Sequence, residues 1–451
     1  MMKKMDMLHG SIADKTWTFA LLLAVTGICQ QLFNAADILI MGRFVGKTAM
    51  AAVGSNAPVV GIIVTFFIGI SLGANVVISQ LTGRRDRKGV TGVTRAVHTA
   101  ILSALFGGLI MTVLGELAAA PLMDILSVPE EVKPMSLRYL RIMFLALPGI
   151  LMYNFTSAIY RSQGDTRTPF LCLITSGMVK VASSLFFVLV MDMDVGGVAA
   201  SSVCATLLSS LMLLTLLSHT NLSVHVSLKE AVFDRMMLKE ILSVGLPAGL
   251  QGAVFSLSNI VIQSAINSLG EEVMAASAAA FNLEIIAYYV INAFGQACTT
   301  FTGQNYGARL FSRCRKIFCT TFLQGFGAMA AVCGVVLFFG TPLLTLFSTD
   351  SEVIDYGYIR LEYILGAEVL NLIIEMVSGF LRAFGKSLLP AIIVTAGICG
   401  SRILYVATIF QWKADFHTLM AVYPLSWLLT DLGMAAVLLY YRKIYMAEDG
   451  K

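Results

Sequence analysis

Long, uninterrupted apolar runs follow one another along almost the whole chain. Each run is about 20 residues or longer, enough to cross about 30 Å of hydrocarbon as an α-helix. The runs do not alternate as membrane β-barrel strands do, and a helix satisfies its own backbone groups inside lipid. The pattern therefore predicts twelve transmembrane helices, at residues 17–41, 54–81, 94–118, 136–160, 169–191, 195–218, 243–268, 275–303, 317–340, 358–381, 388–411 and 419–441.

Composition supports this interpretation. Of the 451 residues, 57% are hydrophobic and 13% are charged, and the mean hydropathy is +0.81. A soluble protein of this length carries about a quarter charged residues. We therefore expect a multi-pass protein of the cell (inner) membrane, surrounded by the lipid bilayer. The net charge of +4 is small and spread over loops, so no nucleic-acid partner is expected.

The residue types that carry enzyme or metal chemistry are scattered. The eight cysteines form no CxxC pair, and the five histidines show no catalytic or metal-binding spacing. The sequence therefore predicts a protein that is not an enzyme, with no metal centre and no cofactor.

Basic residues concentrate in alternate connections between the spans. Arg84, Arg167, Arg309 and Lys386 follow spans 2, 4, 8 and 10, whereas the intervening connections are richer in acids such as Glu271. The positive-inside rule places the basic connections in the cytoplasm. Both termini are then cytoplasmic as well, which agrees with an even number of spans.

An internal repeat relates the two halves of the chain. Gly46, Gln80 and Gly83 recur as Gly270, Gln304 and Gly307 at an offset of 224, and Arg161, Gly164 and Pro169 recur as Arg382, Gly385 and Pro390 at an offset of 221. We predict two pseudo-symmetric six-helix lobes, residues 1–218 and 243–451, joined by a cytoplasmic linker at 219–242. Six is even, so both lobes face the same way. This predicts a substrate site at their interface and alternating access by rocking.

Four segments carry a resemblance to a known family: QQLFNAADILIMGRFVG (30–46), RSQGDTRTP (161–169), FTGQNYGAR (301–309) and FLRAFGKSLLP (380–390). With this spacing in a twelve-span chain, they resemble the multidrug and toxic compound extrusion (MATE) transporters over nearly the whole length. The resemblance implies a secondary antiporter with two six-helix lobes around a central cavity. It implies export of amphipathic, often cationic, organic compounds on inward flow of Na⁺ or H⁺. We expect a monomer that handles small-molecule substrates.

Asp37 is an ionisable residue inside span 1. Such a residue costs about 2.5–3.5 kcal/mol on insertion scales, so it is a candidate for function. Gln30, Asn34 and Asp37 share one helix face because they are spaced i, i+4 and i+7. The resemblance links the aspartate to ion coupling, and a purely structural role is the alternative.

The neighbourhood of Asp37 departs from the pattern of the family. The resemblance implies a sodium site that also draws on an Asn and an Asp in span 5, but Lys180 and Ser184 stand there in this chain. The hydroxyl of Ser202 in span 6 does match. A lysine ammonium has no lone pair for a cation. We therefore predict an ion pair between Lys180 and Asp37 and no Na⁺ coupling in this lobe.

The second half places acids on two helix faces. These faces consist of Phe281, Glu284 and Tyr288 in span 8 and of Glu368, Asn371 and Glu375 in span 10. Buried carboxyl groups can load and release protons, and a carboxylate beside aromatic rings can hold an organic cation. We favour Glu375 and Glu284 as proton or substrate carriers, with the other residues as substrate contacts. Pairing of these acids with Arg402 in span 11 is the alternative.

A polar stripe runs along span 7. It consists of Gln251, Ser258, Asn259 and Gln263. Such side chains either line a cavity or form hydrogen bonds between helices. We favour the cavity and add Asn34 of span 1 to the candidate substrate contacts.

The sequence thus predicts a multidrug antiporter driven by H⁺ in preference to Na⁺. The alternative is a flippase or exporter of a lipid-linked or oligosaccharide-like substrate. The acids Asp37, Glu284, Glu368 and Glu375 outnumber the bases Lys180 and Arg402, which favours cationic substrates. A membrane enzyme is not favoured, because the chain shows no set of residues with catalytic spacing. A channel fits the twofold repeat less well than a transporter with alternating access does.

Overall fold

The computed structural model describes residues 5–84, 86–126, 128–220, 223–227 and 232–447, and within these ranges the chain is helical with no β-strand. Residues 221–222 and 228–231 of the predicted linker lie outside the described residues. The helices are α1 (Ile12–Ile40), α2 (Lys47–Gly83), α3 (Arg87–Ile125), α4 (Lys133–Leu145), α5 (Leu147–Ser162), α6 (Arg167–Leu189), α7 (Val195–Ser218), α8 (Arg235–Asn267), α9 (Glu271–Gly307), α10 (Phe311–Phe338), α11 (Gly340–Leu344), α12 (Ser351–Gly366), α13 (Glu368–Ala383), α14 (Leu388–Val394), α15 (Ser401–Ala407), α16 (Ile409–Trp412), α17 (Phe416–Tyr440) and α18 (Arg442–Tyr445). A π-helical turn, Met41–Val45, extends α1, and another, Thr395–Gly400, joins α14 to α15.

Twelve membrane spans can be built from these helices. In the described residues, ten helical stretches are long and apolar enough to cross a membrane, and two bent pairs bring the number to twelve. The bent pairs are α4 with α5, at 43°, and α12 with α13, at 42°. Each predicted span coincides with one of these stretches. The prediction of an all-α, twelve-span membrane protein is confirmed.

The bend between α4 and α5 has a local cause. Pro148 at the start of α5 has no N–H to donate to the carbonyl of Phe144, and its ring crowds that carbonyl. The freed carbonyl instead accepts a hydrogen bond of 2.7 Å from Thr112 Oγ1 of α3. The bend between α12 and α13 falls at Gly366 and Ala367, where there is no proline.

The chain divides into two compact units, each with its own core. Val25–Gly245 belong to the first unit, and Asp6–Ala24 belong to the second together with the residues from Leu246 onward. The core of the first unit lies among α2, α3 and α5 and includes Phe67, Ile78, Ala100, Leu151 and Tyr160. The core of the second unit lies among α8, α12, α13 and α17 and includes Ile262, Ile364, Val377, Leu419 and Met434.

The beginning of α1 packs in the second unit. Thr16 Oγ1 donates to Gln324 Oε1 of α10 at 2.7 Å, and Gln324 Nε2 donates to the Ala13 carbonyl at 2.7 Å. The ring of Phe19 meets Phe301 of α9 edge-on, with 5.5 Å between centroids. The predicted first lobe contains residues 1–218, whereas the packing groups Asp6–Ala24 with the second unit.

The internal repeat is visible in the backbone. Gly46 and Gly270 precede α2 and α9 with φ of +125° and +113°, and Gly164 and Gly385 follow α5 and α13 with φ of +86° and +75°. These positive values suit glycine, which has no Cβ to clash. The two helix bends also fall 221 residues apart, at residues 146 and 367. The matched glycines therefore mark the same turns in each half.

Candidate ion-coupling and substrate sites

In the first unit, Asp37 of α1 and Lys180 of α6 form a buried ion pair. Lys180 Nζ lies 2.7 Å from Asp37 Oδ2, and the two side chains are only 12% and 8% exposed. The pairing predicted from the sequence is therefore present. Close contact is needed to offset the desolvation of two charges. The other carboxylate oxygen, Asp37 Oδ1, is buried and has no hydrogen-bond partner in the described part of the chain.

A close approach of two helices brings this pair within reach. A Cβ added to Gly177 of α6 would collide with the ring of Phe33 of α1, so the contact requires glycine. Phe33 lies one turn before Asp37, and Gly177 lies three residues before Lys180. The ring packed against Gly177 therefore marks a close approach of α1 and α6 next to the two charged side chains.

The other residues predicted near Asp37 lie outside the ion pair. The hydroxyl groups of Ser184 and Ser201 are hydrogen-bonded to each other, and Ser202 Oγ donates to a carbonyl of its own helix at 3.2 Å. Asn34 is exposed. None of them bonds to Asp37 Oδ1, which is unpartnered within the described ranges. A role of Ser184, Ser202 or Asn34 in coupling or substrate binding stays a prediction.

In the second unit, Glu284 of α9 is paired with Arg360 of α12. Arg360 Nη2 donates to Glu284 Oε1 at 2.7 Å, and Arg360 Nε donates to Oε2 at 3.0 Å. The side chains are 6% exposed for the arginine and 11% exposed for the glutamate. This two-point geometry is the strong form of an ion pair. The alternative from the sequence was that Glu284 pairs with Arg402. The structure shows instead that its partner is Arg360.

Arg360 was not among the predicted site residues because of a helix boundary. The predicted span began at residue 358, which placed Arg360 at the membrane surface. The helix α12 begins at Ser351, so Arg360 lies more than two turns inside it. An arginine followed by further apolar turns was the available signal, and a longer predicted span would have placed it inside the membrane.

Arg402 of α15 is fully buried, with 0% of its surface exposed. Its Nε donates to Ser426 Oγ at 3.2 Å, and Nη1 donates to Asn259 Oδ1 of α8 at 3.3 Å. The guanidinium carbon lies 4.5 Å from the ring centroid of Tyr423 and 5.6 Å from that of Phe255. Aromatic faces stabilise a cation in this position. Asn259, predicted to contact substrate, thus also holds Arg402.

Two further carboxyl groups lie on α13. Asn371 Nδ2 donates to Glu368 Oε1 at 2.8 Å, and Glu368 is buried. Glu375 is half-buried and packs against α9, where a Cβ added to Gly295 would lie 2.7 Å from Glu375 Cγ. Unlike Glu284, Glu375 forms no ion pair among the described residues.

The remaining predicted contacts are more open. Phe281 and Tyr288 of α9 are 42% and 40% exposed, although Glu284 between them turns inward. Gln263 of α8 is exposed and Gln251 is half-buried. The structure therefore separates the predicted aromatic and acidic face of α9 into outward rings and an inward carboxylate. Their role in binding substrate stays a prediction.

The ionisable side chains of the described residues do not form a cluster of metal ligands. No three His, Cys, Asp or Glu side chains among them gather closely enough to hold a metal ion, and all eight cysteines are free thiols. What the two units present instead are buried ion pairs and carboxyl groups that lack a cation partner. Such groups can hold a proton or an organic cation.

Comparisons with known proteins agree with this architecture. A probable multidrug resistance protein of Bacillus subtilis, YoeA, is 26% identical over 85% of this chain and 83% of its own length. An FAD transporter of Shewanella oneidensis is 25% identical over 72% of each chain. A solved structure of a multidrug resistance MATE family transporter of the MOP superfamily, in an outward-facing conformation, superposes with a TM-score of 0.89. It is 20% identical and covers 99% of this chain and 100% of that chain, so it shows the shared fold.

The MatE family model matches the chain twice, over residues 23–186 and residues 247–408. The two matches fall one in each half and agree with the internal repeat. Together they cover more than half of the chain. The chain therefore belongs to the MatE family, whose members are membrane transporters and not enzymes.

Proposed function

We propose that the protein is a secondary antiporter that exports amphipathic, cationic organic compounds by alternating access, coupled to inward movement of H⁺. It works as a multi-pass protein of the cell membrane with both termini in the cytoplasm. Membership of the MatE family and the multidrug resistance relative support the transport function. The coupling ion and the substrate class rest on the charges inside the two units.

The ion pair between Lys180 and Asp37 carries the assignment of H⁺. Sodium needs oxygen lone pairs around it, and a lysine ammonium offers three donors and no acceptor. Here the ammonium already lies 2.7 Å from Asp37 Oδ2. The first unit thus contains its own cation at the carboxylate where the resemblance implies sodium, and a proton is the ion that remains.

Glu375 supports a cationic substrate. It forms no ion pair among the described residues, and it is half-buried on α13 beside α9. The phenol group of Tyr288 on α9 lies close enough to interact with it electrostatically. A carboxylate beside an aromatic face attracts lipophilic cations. Asp37 and Glu284 are already neutralised by partners of their own, so Glu375 is the stronger candidate.

Export can be tested with purified protein in proteoliposomes. A fluorescent organic cation is loaded, a pH gradient is imposed, and efflux of the cation is followed. We expect rapid efflux by the wild type, loss of gradient-driven efflux in Glu375→Gln, and normal efflux in Glu362→Gln, an exposed glutamate of α12. Wild-type efflux that does not respond to the gradient would rule out the antiporter, and normal efflux in Glu375→Gln would remove that residue from the mechanism.

A second candidate is export of a larger, phosphate-bearing substrate, as in a flippase. Arg360 neutralises Glu284, so the excess of acids in the second unit is smaller than the sequence suggests, and one relative is an FAD transporter. Competition distinguishes the candidates. Organic cations should inhibit efflux of the fluorescent cation, whereas inhibition by nucleotides or lipid pyrophosphates and not by cations would favour the second.

A further inference from the structure

A carboxylate oxygen and a guanidinium nitrogen are among the buried polar atoms of the second unit that lack a partner in the described part of the chain. Glu368 Oε2 and Arg402 Nη2 each have no hydrogen-bond partner in the described part of the chain. Both residues are buried, with 3% and 0% of their surfaces exposed. A buried acceptor or donor without a partner is costly. Here the carboxylate and the guanidinium could satisfy each other.

Arg402 also lacks a counter-ion. In the described ranges it forms no ion pair with a carboxylate, and the groups that it touches are neutral: Ser426, Asn259 and aromatic rings. The nearby cation Arg360, which is paired with Glu284, interacts with it electrostatically. A cation buried in a membrane helix bundle normally faces an opposite charge. Glu368 interacts with it electrostatically without touching it. Glu368 is therefore the acid placed to serve as that counter-ion.

The position of Glu368 gives it a means of moving. Glu368 is the first residue of α13, directly after the 42° bend from α12. No proline fixes this bend, unlike the bend at Pro148 in the first half. Gly366, just before it, has open space where a Cβ would be. Glu368 follows the bend directly, so a change in the bend would move it, and a methyl group added at Gly366 would meet no neighbour.

From these observations we infer that Glu368 and Arg402 form an ion pair that is open in this structure and closes when Glu368 gives up its proton, with Gly366 and Ala367 as the hinge. In the open state Glu368 is a neutral carboxylic acid bonded to Asn371. On release of H⁺ to water, its carboxylate pairs with Arg402 Nη2. Arg402 acts as a positioning residue for the proton-carrying carboxyl group. The coupling role rests on the proposed function; the pair itself does not.

Other ionisable groups around Glu368 are already engaged or neutral. On α9 the neighbours are Glu284, which Arg360 neutralises, and Tyr288. On α10 the neighbour is the thiol of Cys333. On α17, Tyr423 stacks on Arg402. Arg402 is thus the cation that would respond to a negative charge on Glu368.

Infrared difference spectroscopy of the purified protein in lipid nanodiscs tests the pair directly. Between acidic and alkaline pH, we expect the wild type to lose one protonated-carboxyl C=O band. The band should be absent in Glu368→Gln and retained in the matched control Glu362→Gln. In Arg402→Gln it should persist at a pH where the wild type has lost it, and Arg402→Lys should restore the wild-type response.

Two results would overturn the inference: a Glu368→Gln spectrum identical to that of the wild type, or loss of the band at the same pH in Arg402→Gln and wild type. If Arg402→Gln does not fold, Gly366→Ala replaces it. The stiffer hinge should also make the band persist to higher pH, and an unchanged band there would equally overturn the inference. The spectra need no substrate and no gradient, so their outcome is independent of whether the protein exports cations.

Discussion

Arg360 of α12 holds Glu284 of α9 through two parallel hydrogen bonds, from Nη2 to Oε1 at 2.7 Å and from Nε to Oε2 at 3.0 Å. Because both side chains are buried, removal of either charge leaves the other uncompensated. The pair therefore joins two helices of the second unit and neutralises a glutamate that the sequence alone presents as a carrier. Of the three acids Asp37, Glu284 and Glu375, Glu375 is the one without an ion pair among the described residues.

The first prediction concerns the stability of this pair. Glu284→Gln and Arg360→Gln should each destabilise the protein by about 3–5 kcal/mol, because breaking a buried pair strands one charge. The double variant should recover part of that loss. Unfolding in mixed micelles measures each change, with Glu362→Gln as the exposed control. Additive losses in the double variant would show that the two side chains do not act as a pair.

The second prediction concerns the space beside Glu375. A Cβ at Gly295 would lie 2.7 Å from Glu375 Cγ and 3.0 Å from Oε1, so Gly295→Ala should displace this side chain and reduce efflux strongly. Gly327→Ala on α10 is the matched control, because nothing lies within 4 Å of its added Cβ and alanine favours a helix. Efflux assays compare the two variants. Equal activity would mean that the position of Glu375 is unimportant.

The third prediction concerns the internal cation. Lys180→Asn removes the ammonium and supplies an amide oxygen beside Asp37, the ligand type that sodium accepts. We expect efflux by this variant to become stimulated by a Na⁺ gradient, whereas Lys133→Asn, which alters an exposed surface pair, should behave as wild type. Transport at clamped pH with and without Na⁺ measures this. An unchanged response to Na⁺ would argue against the lysine as a substitute for sodium.

The fourth prediction concerns the bend at Pro148. Thr112 Oγ1 satisfies the Phe144 carbonyl that Pro148 leaves free, so Thr112→Val should cost about 1–3 kcal/mol of stability. In a Pro148→Ala background the backbone N–H can serve that carbonyl, and the same change should cost much less. A double-mutant cycle on unfolding measures the difference. Equal costs in both backgrounds would contradict this account of the bend.

The spans and the repeat could be predicted because they depend on patterns that every turn repeats. Twenty apolar residues require a helix in lipid, and matched glycines such as Gly46 and Gly270 require the same turn wherever they recur. The pair of Asp37 with Lys180 was also predictable. The resemblance puts Lys180 of span 5 at the position of a sodium ligand beside Asp37 of span 1, and two opposite charges buried this close stabilise each other.

Other features depend on tertiary packing that no local pattern records. The burial of Arg360 could not be predicted, because a shift of two turns in the start of α12 decides whether an arginine lies at the membrane surface or inside the membrane. The packing of the beginning of α1 in the second unit follows from contacts of Phe19 with α9 and of Thr16 with α10, not from its own sequence. No proline in the sequence indicates the bend at Ala367, whereas Pro148 indicates its counterpart in the first half.

Coupling of cation export to H⁺ is tested most directly by measuring both fluxes at once in Na⁺-free proteoliposomes. A pH-sensitive dye on the side that receives H⁺ and a fluorescent organic cation on the same side report proton entry and substrate exit. The account predicts that proton entry begins only in liposomes loaded with the substrate and that both fluxes stop together in Glu375→Gln. It also predicts that later addition of Na⁺ changes neither flux. Substrate exit without proton movement, or exit only when Na⁺ is present, would contradict it.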